Sequence, residues 1–192
     1  MFTTICAYLL IAVFFLGIEG RLRQGQQAKS LRPGQFDQGS TRLIGAAVQI
    51  SFITLLLAPV LNHFQMGQIR YGAFVGGFGL AVMMSGIALR YWAAKTLGEF
   101  YTRTLLIKAE HQIVESGPYR IIRHPGYLGF VLMLVGAGLA TMNWVAAALI
   151  TIVVLVIYAY RIHTEEQMLQ AAFSEQYKAY MIRTWRLVPW VY

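Results

Sequence analysis

Five long apolar runs dominate the chain: Phe2–Gly17, Leu43–Leu61, Tyr71–Ala94, Tyr127–Ala140 and Trp144–Tyr160. A membrane-crossing helix needs roughly 20 mostly apolar residues, with a range of about 17–25. The fourth run is short and is expected to extend into its flanks. Barrel strands would alternate polar and apolar side chains, and these runs do not, so each is predicted to be a helix. The fold class is therefore all-α: a polytopic membrane protein of five transmembrane helices. Composition agrees. Residues are 57% hydrophobic and only 12% charged, where soluble domains average about 25% charged. No basic residue precedes the first run and no small-x-small cleavage site follows it, so it is expected to be retained as a helix. Residues 1–192 read as one integral membrane domain.

The net charge of +8 would fit nucleic acid, but its distribution fits a membrane. Fourteen of the sixteen Lys and Arg fall in the loop Gly20–Arg42, between Lys95 and Arg123, or from Arg161 onward. The other connections hold Arg70 alone. Basic residues mark the cytoplasmic side, which puts the amino terminus outside and the tail in the cytoplasm. All eight acids lie on or beside that same face. The single cysteine, Cys6, lies within the first run; by count it excludes an internal disulfide or a Cys-based zinc site, and it reads as a small buried hydrophobe.

Pro59 is expected to bend or end the second helix. The third run carries Gly72, Gly76, Gly77, Gly79 and Gly86. Small residues let helices approach closely in lipid, which predicts this helix at the centre of the bundle. Gly76-Gly77-Phe78-Gly79 lacks the dinucleotide pattern and a preceding strand. Thr141-Met142-Asn143 is long enough only for an antiparallel hairpin. That hairpin brings His124-Pro125 beside Arg161–Glu166. Beyond Tyr160, Ile162, Leu169, Phe173, Tyr177 and Tyr180 recur at helical spacing among charged residues, predicting an amphipathic continuation of the fifth helix. Trp185, Pro189, Trp190 and Tyr192 suit the interface.

Polar chemistry concentrates in two clusters. Gly117-Pro118-Tyr119-Arg120-Ile121-Ile122-Arg123-His124-Pro125-Gly126-Tyr127 lies directly against the fourth run. The loop Thr96–Arg123 is either a surface connector or a ligand loop. His124 before Pro125 either caps the next helix or serves a site with its Tyr and Arg neighbours. Arg161, Glu165 and Glu166 end the fifth run. Arg161 and Glu165, four apart, share a helix face; they form a plain salt bridge or a site, and polar groups at membrane depth favour a site. Arg90, within the third run, either snorkels to the interface or holds an anionic lipid head. His111, His124, His163 and Glu165 could be assembled as metal ligands, but no pair has a metal-binding spacing, so no metal is expected.

These residues resemble the isoprenylcysteine carboxyl methyltransferase family of integral membrane enzymes. The resemblance is carried by His111-Gln112-Ile113-Val114, Gly117-Pro118-Tyr119-Arg120, Arg123-His124-Pro125-Gly126-Tyr127-Leu128-Gly129 and Arg161–Glu166 with the aromatic tail. It covers the chain from about Leu97 onward, so residues 97–192 are expected to carry the cofactor and catalytic region. The short, five-span form is similar to a prokaryotic, archaeal-type member. Membrane phospholipid methyltransferases share the Arg-His-Pro and Glu-Glu elements. The resemblance implies S-adenosylmethionine as methyl donor, with S-adenosylhomocysteine as product, in a cytoplasm-facing pocket made by the loop and the amphipathic carboxyl-terminal helix. His111, Gln112, Ile113, Val114, Tyr119, His124, Pro125, Gly126, Tyr127 and Glu165 would line that pocket. Arg161 would be the catalytic residue, facing the acceptor.

Elementary chemistry is compatible with this. A carboxylate acceptor is ionised at neutral pH and needs no general base. It needs a cation, and Arg161 offers a two-donor fork. The implied partner is a lipid-like acid, a prenylated cysteine or similar, entering from the bilayer. Two other readings stand beside this one. A lipid-amine N-methyltransferase would need a base, with Glu166 or His163 as candidates. A non-enzymatic protein would use its basic face to bind anionic lipid.

Overall fold

The computed structural model describes residues 1–19, 37–70, 72–102, 105 and 112–192. All five apolar runs are helices, and no strand occurs among the described residues. Helix α1 is Phe2–Val13, continued by a π-helical turn over Phe14–Ile18. Helix α2 is Ser40–His63, α3 is Gly72–Leu97, α4 is Pro125–Ala140 and α5 is Trp144–Arg183. Among the described residues, three segments are long and apolar enough to cross a membrane: Ser40–His63, Gly72–Phe100 and Trp144–Arg183. Phe2–Gly17 and Pro125–Ala140 are shorter apolar helices. The chain is an integral membrane protein.

The fourth run gains only Pro125 and Gly126 at its start and ends at Ala140 as read from the sequence. At 1.5 Å per residue, α4 spans about 24 Å, less than the roughly 30 Å hydrocarbon layer. Protein rather than lipid surrounds most of it. Eleven of its sixteen residues are buried, among them Phe130, Met133, Leu134 and Ala137. The bundle centre is thus α4, and not the glycine-rich third helix expected there. The glycines of α3 instead serve the α3–α4 seam. A Cβ on Gly86 would lie 2.5 Å from the Met133 amide nitrogen and 2.6 Å from the Gly129 carbonyl oxygen; one on Gly129 would lie 2.6 Å from the Arg90 amide nitrogen. Backbone meets backbone at these points, so the helices would have to separate to admit even a methyl group.

Pro59 neither ends nor interrupts α2, which continues to His63. The turn Thr141–Asn143 closes the α4–α5 hairpin. The Asn143 side chain accepts from the Ala146 amide at 3.0 Å, capping α5, and donates to Asn62 Oδ1 and the Met66 carbonyl at 2.8 Å each. Helix α5 runs well past Tyr160, with Ile162, Met168, Tyr177 and Tyr180 buried along its inner face. A kink at Ser174, with φ +44°, turns its last portion back over the connector. Beyond Arg183 the tail pairs with the segment before α4. Trp185 N–H donates to the Ile121 carbonyl at 2.9 Å, and Arg123 N–H donates to the Trp185 carbonyl at 2.7 Å. Trp190 is exposed.

Candidate active site

The hairpin and the returning tail close a cavity of about 170 Å³ at one end of the bundle. Its walls come from the end of α3, the connector before α4, the first turn of α4 and the extension of α5. Gln112, Ile113, Val114, Tyr119, His124, Gly126, Tyr127, Arg161 and Glu165 all line it. Two of the expected residues are not placed there. Pro125 is buried at the first position of α4, where its missing N–H costs nothing. His111 lies outside the described residues.

His124 is the N-cap of α4, yet its side chain makes no capping bond. Its ring stacks on Tyr127, centroids 5.5 Å apart and planes within 6°. Nε2 lies 3.5 Å from Glu166 Oε1 without a hydrogen-bond geometry. Tyr119 is buried beneath the connector, and its carbonyl accepts from the Tyr180 hydroxyl at 2.7 Å. Burial first, and then the nearby Glu165, push the Tyr119 hydroxyl well above its ordinary pKa, so it stays neutral.

Tyr127 links the two charged residues the sequence singled out. Its hydroxyl accepts from Arg161 Nε at 3.1 Å and donates to Glu165 Oε2. Arg161 is buried, and its Nη1 lies 2.9 Å from Asp37 Oδ1, 2.6 Å from Ser40 Oγ and 3.2 Å from Thr41 Oγ1. The Asp37 carboxyl is buried, which opposes its ionisation; hydrogen bonds from Thr41 and the Arg161 charge outweigh this and hold its pKa below the usual carboxylate value.

The adjacent acids have separate surroundings, because successive helical residues point about 100° apart. Glu165 lines the cavity, with 23% of its side chain exposed. Glu166 turns away into a buried clamp. Arg123 Nε and Arg186 Nε each meet one of its oxygens at 2.9 Å. Arg90 neither snorkels to the interface nor offers itself to a lipid head. It is buried, pairs with Glu19 at 3.1 and 2.8 Å, donates to the Gly126 carbonyl at 3.0 Å and lies over the Phe130 ring at 4.6 Å. Within a helix span, Arg90 had no visible partner in sequence, since Glu19 is 71 residues away. Tyr158, Met168, Tyr177 and Tyr180 also line the cavity and were legible only as a helix face. Asp37 was missed too; its signal was an Asp three residues before a Ser-Thr pair opening an apolar run, placed to accept from the first turn of the helix.

A family model described as the isoprenylcysteine carboxyl methyltransferase family matches residues 79–171. Protein-S-isoprenylcysteine O-methyltransferase B of Arabidopsis thaliana is 36% identical over 154 residues, covering 79% of this chain and 78% of that relative. The chain belongs to the isoprenylcysteine carboxyl methyltransferase family. The Schizosaccharomyces pombe protein-S-isoprenylcysteine O-methyltransferase is 30% identical over 103 residues, 53% of this chain and 44% of that protein. The structure of a eukaryotic intramembrane Ras methyltransferase of this family superposes with a TM-score of 0.65 at 20% identity. That likeness covers 94% of this chain and 60% of the solved one, so the present chain spans about three fifths of that structure's length. The family membership makes this protein a carboxyl O-methyltransferase and sets aside the non-enzymatic lipid-binding reading. Within this methyltransferase, the matched region runs from the middle of α3 through the hairpin into the α5 extension, the elements that wall the cavity.

Proposed function

We propose that this methyltransferase moves a methyl group from S-adenosylmethionine to the carboxylate of a prenylated cysteine, or of a similar lipid-linked acid, at the cytoplasmic membrane face. The observation that carries the reading is the convergence of Arg161 and Glu165 on one tyrosine, Tyr127, in the wall of one cavity. The residues present fit such a donor. Glu165 is a partly open carboxylate suited to the donor's cationic or hydroxyl groups, and Tyr119, Tyr127 and His124 offer ring faces to a flat base or a cation. Gln112, Ile113, Val114 and Gly126 would complete that wall, and His111 would join it by the family pattern. The donor supplies an electrophilic methyl on sulfur; an acceptor oxygen forms the new bond to carbon as the carbon–sulfur bond breaks, leaving a neutral thioether. Arg161 would hold the acceptor carboxylate in line. No proton need move, so catalysis rests on positioning. The prenyl chain, soluble in the bilayer, would reach the cavity from the lipid.

An amine acceptor has to lose a proton, and the two candidate bases are poorly placed. Glu166 is engaged by Arg123 and Arg186 and does not line the cavity; His163 is exposed and bonded to Gln167 at 3.0 Å. The carboxyl reading is therefore the better supported.

Calorimetric titration of the purified protein with S-adenosylhomocysteine tests the donor assignment. The wild type is expected to bind, and Glu165→Ala to lose about 1.5–3 kcal/mol, the size of a charge-assisted hydrogen bond. Unchanged affinity in a folded Glu165→Ala protein would leave Glu165 as a structural partner of Tyr127. For orientation, the distribution of Lys and Arg supports a cytoplasmic tail. A reporter fused after Tyr192 is expected to read cytoplasmic and one after Gln65 external; the reverse would place the cavity on the outer face.

A further inference from the structure

A buried guanidinium that is to hold a substrate must have its charge compensated and its plane fixed before the substrate arrives. Arg161 is only 2% exposed and lines the cavity. Leaving such a cation without a partner is costly. Both needs are met by the turn that opens α2. Asp37 Oδ1 receives Arg161 Nη1 at 2.9 Å, and the Ser40 and Thr41 hydroxyls lie 2.6 and 3.2 Å from the same nitrogen. The other carboxylate oxygen, Oδ2, accepts from the Thr41 amide in the first turn of α2 at 3.2 Å. Tyr127 holds Arg161 Nε from the opposite side at 3.1 Å. The guanidinium is thus gripped at two separate atoms by groups from α2 and α4, which leaves its plane no free rotation. Tyr160 reinforces the α2–α5 junction, its hydroxyl donating to the Gln38 carbonyl at 3.0 Å.

We propose that Asp37 is a positioning residue for methyl transfer: it sets the plane of Arg161, and through it the direction from which the acceptor carboxylate attacks. This rests on the reading that Arg161 meets the acceptor. Asp37 touches neither donor nor acceptor in this account. Its influence runs entirely through Arg161, so it bears on the acceptor and not on donor affinity.

Asp37→Asn separates this role from the bond to the first turn of α2. Asn keeps one side-chain oxygen, and with that oxygen toward the Thr41 amide the first-turn bond survives in the variant. What is lost is the anionic oxygen facing Arg161, where the Asn amide then presents an opposing N–H. The test uses the full chain in lipid nanodiscs, with farnesylated N-acetylcysteine as acceptor and S-adenosylhomocysteine as the binding probe. Wild type, Asp37→Asn, Arg161→Lys and the double variant are compared. Asp37→Asn is expected to keep its affinity for the probe within about twofold and to stay folded, with a thermal midpoint below wild type because a buried cation loses its anionic partner. Its kcat/KM for the acceptor is expected to fall on the order of tenfold, a misalignment effect. In the Arg161→Lys background the same change is expected to add less than about twofold, because residues acting through one contact are not additive. Wild-type acceptor kinetics in Asp37→Asn would overturn the proposal. So would a tenfold loss that recurs in full with Lys at 161, or a parallel loss of probe binding, since either marks a purely structural residue. The wild type settles the underlying reading separately: if it methylates no acid, that reading fails, whereas an active wild type with an insensitive Asp37→Asn overturns the positioning role alone.

Discussion

Arg161→Lys is expected to lower turnover on a prenylcysteine acid by on the order of a hundredfold while leaving S-adenosylhomocysteine affinity nearly unchanged. The side chain is held at two atoms, Nε by Tyr127 and Nη1 by Asp37. A lysine has one nitrogen and cannot satisfy both, although it keeps the charge. The acceptor would then be displaced rather than released, and a misplacement near 1 Å costs roughly a hundredfold in rate. An amine-headed lipid would gain nothing from this cation. The measurement is therefore a comparison of Arg161→Lys on the acid and on an amine-headed lipid, with the donor saturating. Selective loss on the acid supports the carboxyl reading; activity on the amine alone, or equal loss on both, overturns it.

Glu166→Ala is expected to destabilise the protein by about 3 kcal/mol, toward the lower end of the cost of removing one partner from a buried ion pair. Glu166 joins Arg123, before α4, to Arg186, in the tail, and both sides of the carboxylate are used. Arg123 keeps some compensation, because its Nη1 also donates to the carbonyls of Met181, at 3.0 Å, and Thr184. That is the reason to expect the lower end of the range. Glu166→Gln, which retains an acceptor, should lose less. Thermal unfolding in detergent measures both variants. Equal stability of Glu166→Ala and wild type would mean that the clamp adds nothing and that the backbone pairing of the tail with Ile121–His124 suffices by itself.

The sequence alone was enough for the helical class, the membrane setting and the hairpin, each of which depends on short-range pattern, whereas the expected cavity wall came from the family motifs. A run of apolar residues is a span whatever its neighbours, and a three-residue turn admits one geometry. The polar clusters at 117–127 and 161–166 were legible because charge is rare beside a span and therefore stands out. Pro125 was read into the wall from the family motif; it is buried at the helix start instead.

What only the tertiary structure decided was which polar groups are partners. Glu165 and Glu166 are indistinguishable as neighbours in sequence, yet one faces the cavity and the other a structural clamp, because a helix turns about 100° between them. The Arg90–Glu19 and Arg161–Asp37 pairs join residues 71 and 124 positions apart. In sequence nothing fixes such pairings, since they follow from how helices pack. The centre of the bundle moved for the same reason. Glycines mark where a helix can be approached closely, but α4, short and flanked by α1, α3 and α5, is the helix approached from most sides. Local chemistry determined which segments fold and which residues could react. Packing decided which of those residues meet.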